Sequence, residues 1–159
     1  MKKNAFARHL KSKPWHWCLA LVITILAGFL RFYKIPETVM FLGDQGRDAL
    51  IVANIFRKLD PVLIGPVTSV GNMYLGPLYY YIMLPFLWLS YPSPLGPVYA
   101  VAFFSTLSVF ITYLVAKKMF SPSTGLLAAF FIAFSASAID LSRFSWNPNL
   151  APLFSLLIH

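Results

Sequence analysis

Between Pro61 and Ala116 the chain carries no charged residue. A soluble domain has about one charged residue in four, and apolar runs laid end to end in this way need lipid rather than a buried core. The composition agrees, with 58% hydrophobic and 11% charged residues and a mean hydropathy of +0.70. The expected class is all-α: polytopic membrane helices, joined by an extracytoplasmic loop with juxtamembrane amphipathic helices.

The net charge of +8 does not point to nucleic acid, and no nucleic-acid partner is expected. Five of the thirteen basic residues (Lys2, Lys3, Arg8, Lys11 and Lys13) precede Trp15, as at the flank of a membrane-inserting segment. The following WHWCLALVITILAGFL resembles a signal peptide, with small residues at Ala27 and Gly28. It lacks an A-x-A-like site and runs on to Tyr33, which favours an uncleaved anchor. Cys18 stands alone, so the chain can form no internal disulfide or cysteine pair for a metal.

Further apolar runs cover 76–91, 97–116 and 125–139. If each crossed the membrane, Lys117 and Lys118 would face away from the basic N-terminus, against the tendency of such residues to stay cytoplasmic. The conflict disappears if GPLYYYIMLPFLWLSYPSP does not cross. Prolines 77, 85, 92 and 94 cut it into pieces too short for a ~30 Å core, and Tyr79, Tyr80, Tyr81, Trp88 and Tyr91 suit the headgroup level. The alternative is a proline-kinked span.

In order, residues 1–13 form a cytoplasmic basic tail, 14–33 a span, 34–95 the extracytoplasmic loop and 96–116 a second span. A cytoplasmic turn at 117–123, a third span at 124–139 and a second extracytoplasmic loop at 140–149 follow. A further span starts at 150 and is unfinished at 159, so the chain is expected to be the N-terminal part of a longer protein.

The segment FLGDQGRDAL puts two aspartates and an arginine into five positions. Asp44 reads as an N-cap and Asp60-Pro61 as a stop for a helix whose apolar stripe is Ile51, Val52, Ile55, Phe56 and Leu59. Stepping back by 100° per residue places Asp44 and Asp48 on that apolar side, a costly position unless cations or donors meet them. Either Asp44 caps while Asp48 pairs with Arg47 or Arg31, or the group is a polar site at the membrane surface. Gly43 and Gly46 would allow close approach of a substrate. The second loop, SRFSWNPNL, holds Arg143 and Trp146, both suited to an interface, and an Asn147-Pro148-Asn149 turn.

This order of parts resembles the N-terminal module of C-superfamily membrane glycosyltransferases. It comprises a basic start, one span, D-x-x-R opening an amphipathic helix, G-P-L-Y-Y-Y, a K-K-M-F turn and an external S-R-F. The nearest groups are the protein O-mannosyltransferases and the aminoarabinose transferases of lipid A, often grouped as family 39. The resemblance implies sugar transfer, with inversion, from a polyprenyl-phosphate donor to an acceptor lipid, glycan or protein on the extracytoplasmic face of the plasma membrane. It makes Asp44 the catalytic base and Arg47 the phosphate contact, with Asp48 supporting Arg47. Gln45, Tyr79, Arg143 and Asn147 complete the expected substrate-binding set.

Gln45 departs from the family's Asp-Glu pair, Tyr74-Leu75-Gly76 lacks its lysine or histidine, and the second loop has Asn147 and Asn149 without its aspartate. A divalent metal is therefore not favoured, and no cofactor is expected. The rival readings are a non-catalytic membrane scaffold or transporter subunit, and a phosphate-transfer enzyme. His9, His16 and His159 supply no tight phosphate motif for the latter.

Overall fold

The computed structural model describes residues 13–68, 71 and 73–158, so all but the last residue of the expected basic tail, with His9 and His159, lie outside the described residues. The described chain is all-α. Its helices are α1 (Pro14–Phe32), α2 (Ile35–Thr38), α3 (Gly43–Lys58), α4 (Leu78–Ser90), α5 (Gly96–Met119), α6 (Pro122–Phe134), α7 (Ala136–Ser142) and α8 (Ala151–Leu157), with a 3-10 turn at Asn147–Leu150. Two helices, α1 and α5, are long and apolar enough to cross a membrane. The pair α6 and α7 makes a third span if its 61° bend lies within one crossing.

Helices α1, α5 and α6 pack on one another in a three-helix bundle. The seam is built from small residues, which let backbones approach where lipid offers no hydrophobic drive for association. Ala20 and Ala27 of α1 and Ala129 and Ala133 of α6 close on Val109 and Tyr113 of α5. At Gly125 the approach is so close that a Cβ would meet the Tyr113 carbonyl and the Lys117 backbone nitrogen. Large apolar side chains such as Ile25, Phe29, Leu127 and Phe131 point outwards, as they do on a surface that faces lipid.

The ends of the bundle are set by aromatic contacts. Lys117 Nζ lies 4.1 Å over the Trp17 ring, while Phe32 stacks on Tyr99 at 6.2 Å. Helices α1 and α5 are therefore antiparallel, and Lys117 shares an end with the start of α1.

Arg31, in the last turn of α1, is fully buried. Its Nε donates to Ser105 Oγ at 2.9 Å, Nη1 to the carbonyls of Ala27 at 3.2 Å and Ala133 at 3.1 Å, and Nη2 to the Ile132 carbonyl at 3.0 Å. One side chain thus joins all three helices and satisfies carbonyls that the end of α6 leaves without intrahelical donors. The third apolar run is accordingly not one helix over 124–139. It breaks at Ser135, whose backbone is extended and whose Oγ accepts from Ala138 N to start α7.

Helix α4 has 13 residues, about 20 Å at 1.5 Å per residue, too short for a ~30 Å hydrocarbon core. It packs on α5 through Phe86 against Phe103 and Phe104. Tyr81, Trp88 and Tyr91 are exposed, but Tyr79 and Tyr80 are buried in a core with Val52, Ile55 and Met83. Those two tyrosines hold α3 to the bundle instead of standing among headgroups.

Replacing Arg31 by Met leaves the Ile132 and Ala133 carbonyls and Ser105 without their donor. Thermal unfolding in detergent is expected to show a loss of about 2–4 kcal/mol. Ser105→Ala removes one bond of the four and should cost a minor part of that.

Candidate functional site

The site is built on the first turns of α3. This helix begins at Gly43 with Leu42 as its N-cap, so Asp44 is not the cap. One residue further in, Asp44 puts a negative charge at the positive end of the helix dipole. It is also not on the packing face: the Asp44 side chain is 63% exposed, whereas that of Asp48, one turn on, is 7% exposed. Asp44 stands at the edge of the buried face, whose member in the first turn is Gln45. The helix ends at Leu59, in the left-handed region at φ 53°, just before Asp60-Pro61.

Arg47 lies between the two carboxylates. Nη1 donates to Asp44 Oδ1 at 3.0 Å, and both Nε and Nη2 donate to Asp48 Oδ1 at 3.0 Å. Three of the five guanidinium N–H groups are thereby engaged, and two meet no partner among the described residues. The group formally carries one net negative charge. Tyr80 donates its hydroxyl to the same Asp48 oxygen at 3.3 Å. Burial pushes the Asp48 carboxyl above its usual range, against the pull of the Arg47 bond. Burial and then the nearby Asp48 charge push Tyr80 up to about 12, and the same two causes raise Tyr79.

Gln45 is buried, and its contacts explain why the second loop sits where it does. Its Nε2 donates to the Met40 carbonyl at 3.0 Å, and Ser145 Oγ donates to Gln45 Oε1 at 3.1 Å. This bridge ties residues a hundred positions apart. The buried Tyr79 hydroxyl lies near Ser145 but meets no hydrogen-bond partner among the described residues. Asn149 Nδ2 holds the loop by donating to the carbonyls of Leu141 at 2.9 Å and Phe144 at 2.8 Å.

With the loop held there, Asp44 and Arg47 form one side of a cleft of about 150 Å³, closed by Trp146, Asn147 and Pro148. Its remaining wall is Pro66, Val67, Thr68 and Leu75, from two short stretches, 65–68 and 73–76, that pair with each other. Gly65 N donates to Leu75 O at 2.9 Å and Leu75 N to Pro66 O at 3.0 Å, with Val67 bridged to Tyr74. Gly65 is required there, because a Cβ would collide with the Gly76 carbonyl. The Gly65-Pro66 and Gly76-Pro77 pairs are turn signals that mark these stretches in the sequence.

The cleft is smaller than the roughly 300–1,000 Å³ of ordinary ligand pockets, so it suits one polar group of a ligand rather than the whole. Of the expected residues it brings together Asp44, Arg47 and Asn147. Asp48, Gln45 and Tyr79 are buried behind it. Arg143 lies in a different depression with Thr38, Met40 and Asp140, where Nη2 donates to the Leu30 carbonyl at 2.6 Å and Nη1 to Thr38 Oγ1 at 3.4 Å. Its engagement there ties the end of α7 to the end of α1. Among the described residues no three His, Cys, Asp or Glu side chains stand together as a metal site.

Comparison with models of known families, with curated proteins and with solved structures finds no match in any of the three.

Gln45→Leu should lower the unfolding midpoint, since it strands Ser145 Oγ and the Met40 carbonyl at about 1–3 kcal/mol per unsatisfied group. Asn147→Ala, on the cleft surface, should leave that midpoint nearly unchanged. The raised Asp48 pKa works in a set direction: its contribution is fully present below the ordinary carboxylate pKa and is lost as pH rises through the folded-state value. Asp48→Asn should therefore gain stability relative to the parent as pH rises from acid towards neutral, measured by thermal unfolding across that range.

Proposed function

We propose that this chain is part of a multi-pass plasma-membrane glycosyltransferase. It moves a sugar from a polyprenyl-phosphate donor to an acceptor lipid, glycan or protein on the extracytoplasmic side. The observation that carries this reading is the meeting of Asp44, Arg47 and Asn147 in one polar cleft at the end of an apolar bundle opposite Lys117. With Lys117 and the basic start of α1 cytoplasmic, the cleft opens outside, where a lipid-linked sugar presents its phosphate.

In this reading an acceptor hydroxyl attacks the anomeric carbon as the carbon–oxygen bond to phosphate breaks. The bonding pair leaves with the phosphate, and attack from the opposite side inverts the centre. Asp44, the exposed carboxylate, takes the acceptor proton. The two N–H groups of Arg47 that no described residue engages meet the leaving phosphate, a task for which a planar fork is suited. Asp48 fixes the guanidinium plane from behind, and Tyr80 fixes Asp48.

A second reading, a non-catalytic scaffold or transporter subunit, is favoured by one observation: Arg47 is already bound by both carboxylates. The two readings separate in an assay of transfer from a radiolabelled polyprenyl-phosphate sugar, in membranes of cells expressing the gene that encodes this chain. Asp44→Asn at equal protein level is expected to lose about 10²–10⁴-fold in turnover. Arg47→Lys should weaken use of the donor more than of the acceptor, and Asp48→Asn should cost less than either. Near-parental turnover of Asp44→Asn would leave the scaffold reading standing.

The sidedness has its own check. In a Cys18→Ser background, Ser93→Cys is expected to react with an impermeant thiol reagent from outside and Lys117→Cys only after the membrane is opened. Labelling of Lys117→Cys from outside would invert the scheme.

A further inference from the structure

On another side of α3, a second groove of about 330 Å³ lies between that helix and the turn joining α4 to α5. Its walls are apolar, with Phe41, Ala49, Leu50 and Ala53 on one side and Leu87 and Pro94 on the other. Its volume is that of an ordinary ligand pocket. Phe41 and Leu50 are exposed although large and apolar, so the groove opens onto the surface.

One lining residue is charged. Arg57 is exposed, and its guanidinium stands 5.8 Å over the ring of Tyr91, which also lines the groove. It takes part in no salt bridge among the described residues. Lys58 follows it in the last turn of α3, so this end of the helix is basic. An apolar trough with a cation at its rim, on an amphipathic helix beside membrane-spanning helices, matches a molecule with an apolar tail and an anionic head.

We infer that this groove holds one acyl chain of an anionic glycerophospholipid from the surrounding bilayer, with the lipid phosphate on Arg57. The site is separate from the Asp44 cleft and does not depend on the transfer reaction proposed for it. An anionic lipid there would press α3 against the α4–α5 turn and so steady the helix that carries Asp44 and Arg47.

The test uses the protein purified in detergent, supplemented with phosphatidylglycerol or phosphatidylcholine, with bound lipid counted by native mass spectrometry and unfolding followed by heat. Phosphatidylglycerol is expected to be retained in preference and to raise the unfolding midpoint more. Arg57→Gln, an exposed substitution, should reduce its retention about fivefold, to the phosphatidylcholine level. Ala53→Phe, which fills the groove, should reduce retention of both lipids. Equal retention of the two lipids by the parent protein would overturn the proposal, as would unchanged retention in Arg57→Gln. Displacement of phosphatidylglycerol by an equimolar polyprenyl phosphate would also overturn it, by giving the groove to a different lipid.

Discussion

A buried arginine holds three helices of this protein together. Arg31 spends its donors on its own helix, on Ser105 of α5 and on two carbonyls at the end of α6. A charge inside a membrane bundle is costly unless its donors are met, and here they are met by the carbonyl ends of helices, where the dipole is negative. The break at Ser135 follows, because the carbonyls that would continue α6 are engaged by α1. Arg143 repeats the device one level further out, donating to the Leu30 carbonyl in the last turns of α1. Together the two arginines bring the chain after α6 back over the end of α1.

That return places the second loop against α3. The Gln45–Ser145 bridge and the Tyr80–Asp48 bond then fix α3 from two sides, while the paired stretches 65–68 and 73–76 supply the remaining wall. The consequence is a polar cleft lined by exposed Asp44 and half-buried Arg47 and Asn147, and backed by buried polar residues. A buried polar network of this kind specifies one arrangement, since each member lost leaves others unsatisfied. The division is also chemical: Asp44 and Asp48 have the same side chain four residues apart, yet one faces solvent and the other is desolvated beside a tyrosine.

Much of the architecture could be read from residue patterns. Uninterrupted apolar runs marked α1 and α5, and the prolines of 77–94 marked a piece too short to cross. The break in the third run was hidden because neither Gly nor Pro stands near Ser135; a residue a hundred positions earlier imposes it. The lone arginine at the end of an apolar run was the available clue. Gly125, Ala129 and Ala133, small residues four apart, likewise announced the face that α6 turns to α5. Helical stepping placed Asp48 correctly and Asp44 wrongly, because Asp44 falls at the edge of a buried arc that runs through Gln45, Asp48, Val52 and Ile55. Gln45 and Tyr79 were read as polar groups for a ligand, yet tertiary contacts bury both, and no local pattern reveals that Ser145 is the residue that meets Gln45. The pairing of Asp44 with Asn147 was foreshadowed only by topology, which put both loops at one end of the bundle.

The occupant of the Asp44 cleft decides what this protein does. A polyprenyl phosphate carrying a photoreactive diazirine beside its phosphate, activated in membranes expressing the gene and followed by peptide mapping, reports this directly. Attachment is expected at cleft residues, with Val67 and Trp146 exposed to it, and should vanish when excess unlabelled polyprenyl-phosphate sugar competes. Attachment confined to outward-facing positions such as Ile25 and Phe131, unchanged by the competitor, would contradict the account.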